Sequence, residues 1–222
     1  DPAAPFVIFG VRACDAKSFE ILDNVFLSEP VDSFYKSRRE NGVIVTMACN
    51  EPEETCFCGA FGINAANPQG GDVTTWLAGD TLYWKAETAK GEELTKSIAN
   101  LLESAGDSDE KKVEETQASI KAILDKLPLK DLDLSYFSGE NLTTKLNDVF
   151  YAEQWDELYK ACIACGTCTF VCPTCQCYDI RDFDTGHGVK RFRCWDSCMF
   201  SDFTKCAHGN PRTSQKERFR QR

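Results

Sequence analysis

Residues 162–173 read Cys-Ile-Ala-Cys-Gly-Thr-Cys-Thr-Phe-Val-Cys-Pro. The spacing is C-x2-C-x2-C-x3-C-P, the run that holds a [4Fe–4S] cluster in bacterial-type ferredoxins. Cys162, Cys165 and Cys168 recur on successive short turns and can reach three iron corners of one cube. Ala164, Gly166 and Thr167 are small, so backbone N–H groups can approach the sulfurs. Pro173 has no N–H and a fixed φ, which turns the chain away. A single C-x2-C pair would serve zinc equally well. Four cysteines in this register, followed by proline, single out the cluster.

In two-cluster ferredoxins the fourth cysteine, here Cys172, ligates the other cluster. The chain has no second copy of the motif. It starts at Asp1-Pro2 without Met and stops in a basic run, 218–222, that reads as lacking a cap or turn. The expectation is a piece of a longer protein. The alternative is a one-cluster protein whose fourth ligand is Cys172, Cys175 or Cys177.

Thirteen cysteines in a small secreted chain would suggest disulfides. Here the number is odd, no signal peptide is visible, and nine of the thirteen fall between Cys162 and Cys206. Metal ligation in a reducing cytoplasm fits better. No run approaches the roughly 18 apolar residues of a membrane helix. Charge is uneven: residues 181–222 carry ten basic and five acidic side chains, within a chain of net charge −10. No groove-reading motif accompanies the basic tail, so nucleic acid is disfavoured. A role near anionic clusters, or in docking an acidic partner subunit, suits it better.

Phe6-Val7-Ile8-Phe9 and Val43-Ile44-Val45-Thr46-Met47 read as buried strands. Residues 16–27 read as a helix with Asp15 as N-cap and Pro30 beyond its end. Together they predict a βαβ unit on a parallel sheet. Residues 73–77 and 81–86 flank Ala78-Gly79-Asp80 as a hairpin. Residues 92–104, 109–127 and 141–160 read as helices, the second as a solvated helix or connector. The fold expected is an α/β region over 1–127 (βαβ plus hairpin). A mostly helical ferredoxin-like [4Fe–4S] module with few strands follows over 128–222.

The α/β region has its own cysteines. Cys14 follows the first strand, Cys49 the second, and Cys56 and Cys58 lie just beyond. If the strands are parallel neighbours, these thiols meet at the carboxyl edge, where open α/β sheets place ligands. A further [4Fe–4S] cluster, a Zn(Cys)4 site and ordinary buried thiols all remain open. Cys175, Cys177 and Cys198 stand as extra ligands or packing thiols. Cys194 and Cys206 fit no motif, and His187 and His208 read as exposed loop residues.

The chain resembles the beta, iron–sulfur subunit of cytoplasmic sulfhydrogenases (hydrogenase/sulfur reductase), and also the related A subunit of anaerobic sulfite reductase. The resemblance rests on the run from Pro5 to Asp15, Ile21-Leu22-Asp23, and the run from Phe34 to Glu40. It continues through Cys49, Cys56-Phe57-Cys58, the ferredoxin motif, Cys172 to Tyr178, and Arg193-Cys194-Trp195-Asp196-Ser197-Cys198. In the tail the family's Gly-His-Asn order is changed to His208-Gly209-Asn210. The family carries an additional N-terminal segment and a second ferredoxin motif downstream. The resemblance implies a non-catalytic electron relay with two [4Fe–4S] clusters in a helical-ferredoxin module. Such a relay joins a flavin/NAD(P) subunit to one acting on hydrogen, sulfur or sulfite. It also favours a cluster at Cys14, Cys49, Cys56 and Cys58.

For the motif itself, Phe170, Val171 and Ile163 are expected to form a dry wall. Arg191 and Arg193 are candidates to raise the potential. The rival readings are a zinc-stabilised interaction module, and a thiol oxidoreductase using Cys165/Cys168 or Cys175/Cys177.

Overall fold

The computed structural model describes residues 4–137 and 139–222. The chain divides into two compact units, Asp1–Asp133 and Leu134–Arg222. The division falls six residues beyond the boundary expected from Pro128.

The first unit holds a four-stranded sheet ordered β1 (Phe6–Val11), β2 (Gly42–Met47), β3 (Val73–Ala78) and β4 (Thr81–Ala86). The first three strands are parallel, and β4 closes the hairpin antiparallel to β3. Helix α1 (Ala13–Phe26) begins earlier than its sequence suggests. Arg12 is the N-cap, and Asp15 lies inside the first turn, where its carboxylate faces the positive end of the helix dipole. A second helix in the crossover, α2 (Ser33–Asn41), has a signal that sequence reading passed over. Asp32 accepts a hydrogen bond from the Tyr35 N–H at 2.9 Å, as an N-cap does.

The sheet's centre is built from small β-branched residues. Val45, Thr46, Val73, Thr74 and Thr75 are almost fully buried. The hydroxyls are satisfied across the strands: Thr46 Oγ1 donates to Val73 O at 2.9 Å, and Thr75 Oγ1 to Thr46 O at 2.8 Å. Helix α3 (Ala89–Ser97) and a short 3-10 turn (Ala99–Leu101) replace the longer helix expected over 92–104.

Helix α4 (Asp107–Leu124) is not a free connector. It buries Ile120, 1% exposed, against Trp76, Tyr83, Ala48, Ala65 and Ala66. Tyr83 also donates its hydroxyl to Asp109 Oδ1 at 3.0 Å. Ile120→Ala removes buried volume from this cluster and is expected to cost about 2–5 kcal/mol, read as a lower chemical-denaturation midpoint.

The second unit corrects the expectation of a mostly helical module. Its helices are short: α5 (Leu142–Phe150), α6 (Trp155–Leu158), α7 (Thr167–Val171) and α8 (Gln215–Gln221). The helix read over 141–160 breaks at Tyr151 and ends in a 3-10 turn at Tyr159–Ala161. Strands β5 (Tyr178–Asp184) and β6 (Val189–Trp195) form an antiparallel hairpin. Its turn, 185–188, contains Gly186 and Gly188, both at positive φ. The hairpin is exposed on both faces, so the apolar–polar alternation that marks a half-buried strand is weak.

Candidate metal centre

The first three motif cysteines surround one cavity. A space of about 570 Å³ is lined by Cys162, Cys165, Gly166 and Cys168, with an apolar remainder that includes Trp155, Met199 and Phe219. The backbone makes the turn by left-handed conformations at Ala164 (φ 57°) and Gly166 (φ 74°). A Cβ on Gly166 would stand 2.7 Å from the Phe200 ring. Gly166→Ala is therefore expected to cost about 1–2 kcal/mol in backbone strain alone. Phe200 would also have to move. Lower cluster occupancy, read from the iron-to-protein ratio, is the check.

The thiols are unequal. The Thr167 hydroxyl lies 3.2 Å from Cys165 Sγ, and with the Thr167 N–H it holds the exposed Cys165 thiol below its usual pKa. Gln215 Nε2 donates to Cys162 Sγ at 3.0 Å. Cys172 Sγ lies 3.3 Å from the Thr174 hydroxyl.

A second set of thiols adjoins the first. The β5–β6 hairpin pairs Tyr178 with Trp195, so the two chain ends leave side by side. Asp196 N–H then bonds Cys177 O at 3.2 Å, and Cys198 arrives next to Cys175 and Cys177. Buried Thr169 and Ser197 share a 2.7 Å hydrogen bond that pins this segment to α7. Burial pushes the Cys177 thiol up to about 12; a hydrogen bond from the Cys198 backbone opposes this, and the nearby Cys175 and Cys198 thiols add to it. For Cys175, burial is overcome by hydrogen bonds from the Cys177 backbone and from Arg222, so its pKa falls.

Sequence reading missed α8, although its cap was in plain view. Ser214 accepts from Glu217 N–H and Glu217 Oε2 accepts from Ser214 N–H, a capping box just before the basic run. The helix packs Phe219 on Trp155, ring centroids 6.1 Å apart, and pairs Lys216 with Asp156 at 2.5 Å. It carries Arg222 to the thiols. Arg222 Nη1 lies 3.9 Å from Cys198 Sγ, and Nη2 donates to Cys168 O. Burial lowers the Arg222 pKa, but Cys198 and Cys175, with the more distant Cys168 and Cys172, more than reverse this.

The guanidinium near the sulfurs is thus Arg222 rather than Arg191 or Arg193. Arg191 forks onto Asp182 at 2.7 and 2.8 Å, and Arg193 stacks on the Tyr178 ring. The expected wall is also revised. Phe170, Val171 and Ile163 all face solvent, 68%, 71% and 83% exposed, although Ile163 also borders the cavity. Cys194 sits on β6, Cys206 is exposed, and His187 and His208 are exposed.

In the first unit, Cys14 lies in the first turn of α1, Cys49 follows β2, and Cys58 opens a 3-10 turn (Cys58–Phe61). Cys14 is raised in pKa chiefly by burial, with Asp15 and Cys58 adding. Cys49 is raised chiefly by burial, opposed by Arg12, with Cys56 and Cys58 adding.

Cys162, Cys165 and Cys168 line one space, and a cube, which takes each sulfur on a different iron, suits thiols set around such a space.

Residues 161–222 match the 4Fe–4S dicluster domain. The whole chain is 33% identical, over 228 aligned residues, to sulfhydrogenase 2 subunit beta of Pyrococcus furiosus. The chain is thus similar to this beta subunit, and with the 4Fe–4S dicluster domain in its second unit its cofactors are [4Fe–4S] clusters. It spans 64% of that relative's length. No solved structure matches. Among the described residues, no helix is long and apolar enough to cross a membrane.

With the cofactor class established, Arg222 acquires a role that can be measured. A unit positive charge near a cluster favours its reduced, more negative state. At an effective dielectric of about 20 the effect is on the order of 1 kcal/mol, or tens of millivolts. Arg222→Gln is expected to lower a cluster midpoint by about that much, read by EPR-monitored redox titration.

Proposed function

We propose that the chain relays single electrons within a multi-subunit oxidoreductase, between a flavin/NAD(P) subunit and a hydrogenase, sulfur reductase or sulfite reductase subunit. The observation that carries this reading is the cavity walled by Cys162, Cys165 and Cys168, adjoined through Arg222 by Cys175 and Cys198, with Cys177 beside these two. Cys162, Cys165 and Cys168 hold one [4Fe–4S] cluster. Cys172, Cys175, Cys177 and Cys198 supply the remaining ligand and donors for another centre.

Bound clusters supply outer-sphere, one-electron chemistry. The chain's own residues set the conditions for it. Trp155, Met199 and Phe219 exclude water, Gln215 and Thr167 hydrogen-bond to sulfur, and Arg222 supplies positive charge. No bond-making side chain is required, and the subunit is non-catalytic in this reading.

The reading places the complex in a reducing cytoplasm, where thiolate-held clusters persist. Three of the tail's arginines have partners within their own unit: Arg218 donates to Arg212 O at 3.1 Å, Arg220 covers the Phe150 ring, and Arg222 reaches the thiols.

The exposed, acidified Cys165 would also suit thiol exchange. Metal analysis separates the readings. Anaerobically purified protein is expected to contain iron and acid-labile sulfide in equal amounts. Its broad visible absorption should bleach reversibly with dithionite. Zinc without sulfide would replace the relay with a structural module, and a metal-free protein would leave thiol exchange.

A further inference from the structure

Helix α8 presents one face to the motif cavity. Gln215, Arg218, Phe219 and Arg222 recur at i, i+3, i+4 and i+7, the spacing of a single helical face. Phe219 lies in the cavity wall, and Arg222 reaches the thiols. Gln215 and Arg218 act as a pair. Gln215 Nε2 donates to Cys162 Sγ at 3.0 Å, and Arg218 Nη2 donates to Gln215 Oε1 at 3.0 Å. The other arm of the guanidinium, Nη1, donates to Arg212 O at 3.1 Å.

Both ends of the carboxamide are therefore matched. A guanidinium only donates, so the amide oxygen must face Arg218. The amide NH2 is then left to face the sulfur, which as a thiolate only accepts. Without Arg218 the amide is free to turn over and set its oxygen against the sulfur. Arg218 is also an unusual cation. It is 9% exposed, its hydrogen bonds go to carbonyl and amide oxygens rather than to a carboxylate, and among the described residues its Nε has no partner. A buried charge without a counter-charge is costly. A cluster on Cys162, anionic with its thiolates, supplies negative charge one side chain away.

We infer that Arg218 is a positioning residue for the motif cluster: it aims the Gln215 amide at Cys162, and that hydrogen bond raises the cluster's reduction potential. The inference rests on the relay reading above, in which Cys162 is a cluster ligand. Reduction adds one electron and neither makes nor breaks a bond. It leaves more negative charge on the sulfurs, which then accept hydrogen bonds more strongly. A donor fixed on Cys162 Sγ therefore favours the reduced state. The Ser214–Glu217 capping box and the Lys216–Asp156 pair hold in place the helix that carries both residues.

The test is an EPR-monitored redox titration of anaerobically purified protein carrying Gln215→Leu, Arg218→Lys or both. Gln215→Leu is expected to keep the parent's iron and sulfide. Its midpoint should fall, leaving the reduced-to-oxidised ratio about two- to ten-fold smaller at the parent's midpoint potential. Loss of a hydrogen bond to sulfur should also move the iron–thiolate stretching bands to higher frequency in the resonance Raman spectrum. Arg218→Lys keeps the charge and gives up the planar fork that serves Arg212 and Gln215 together. It should lower the midpoint in the parent and leave it unchanged in the Gln215→Leu background, because it acts through the amide. A parent-like midpoint in Arg218→Lys, or an equal shift in both backgrounds, would remove the positioning role. Gln215→Leu with the parent's midpoint and Raman bands would overturn the inference by itself, whatever Arg218→Lys does. Iron and sulfide missing from the unsubstituted protein is a separate failure, that of the relay reading.

Discussion

Replacing Cys165 by serine is expected to remove one cluster and loosen the unit that surrounds it. The cavity bordered by Cys162, Cys165 and Cys168 is about 570 Å³, large beside the short helices around it. Without its cofactor the unit must be held by local contacts, such as the 2.7 Å Thr169–Ser197 bond and the packing of Phe219 on Trp155. Ligand bonds fasten the three motif turns to one another, so binding free energy is also folding free energy. The expected result is a loss of about four iron per chain, a missing EPR component, and faster proteolysis within 134–222. The Asp1–Asp133 unit, with its own core around Ile120 and Trp76, should keep its thermal transition. An unchanged iron count and spectrum would remove Cys165 from the ligand set.

Gly91→Ala is expected to destabilise the α/β unit by about 3 kcal/mol, the upper part of the overpacking range. Alanine in place of glycine inside a helix normally gains about 1 kcal/mol. Here that gain is overwhelmed, because the new Cβ would stand 2.0 Å from the Asp72 carbonyl oxygen and 3.1 Å from Val73 Cγ2. The obstacle is backbone and cannot rotate away. Asp72 is itself fixed: its carboxylate accepts from Ile44 N–H at 2.9 Å and from the Thr88 hydroxyl at 2.6 Å. Moving α3 outward would therefore break the tie that joins β2, β3 and the α3 cap. A fall in melting temperature on the order of 10 °C, with the motif cluster's spectrum preserved, is the expected calorimetric and EPR outcome. A neutral or stabilising effect would show that α3 shifts freely on the sheet.

The two cases differ in how much of them can be seen in the sequence. Cys165 announces itself, because the cluster motif is local: four ligands fall within eleven residues, and the chain needs only tight turns to present them. Gly91 looks like an ordinary helical glycine, since the backbone it must approach lies 19 positions earlier. The same contrast runs through the fold. Strand β2 stands out as a short apolar run because a parallel sheet buries both faces of its inner strands. Strand β1 is as apolar, but it lies at the sheet edge with Val7, Ile8 and Phe9 exposed, so the buried strand expected there is corrected. Hairpin β5–β6 does not stand out, because neither face is buried and no alternation is imposed. Helix α4 carries so much charge that Ile120 alone does not reveal its docked face.

The sequence by itself determined the cofactor chemistry, the parallel arrangement of β1 and β2, and the carboxyl edge as the place where Cys14 and Cys49 emerge. These depend on short-range spacing and on the period of apolar residues. Tertiary structure alone decided that Cys198 returns to Cys175 and Cys177, that Gln215 reaches Cys162, and that Arg222, not Arg191 or Arg193, lies among the thiols. Those contacts join positions 21 to 53 residues apart. They are set by where an exposed hairpin ends and by how α8 packs through Phe219, which no local pattern of residue types specifies.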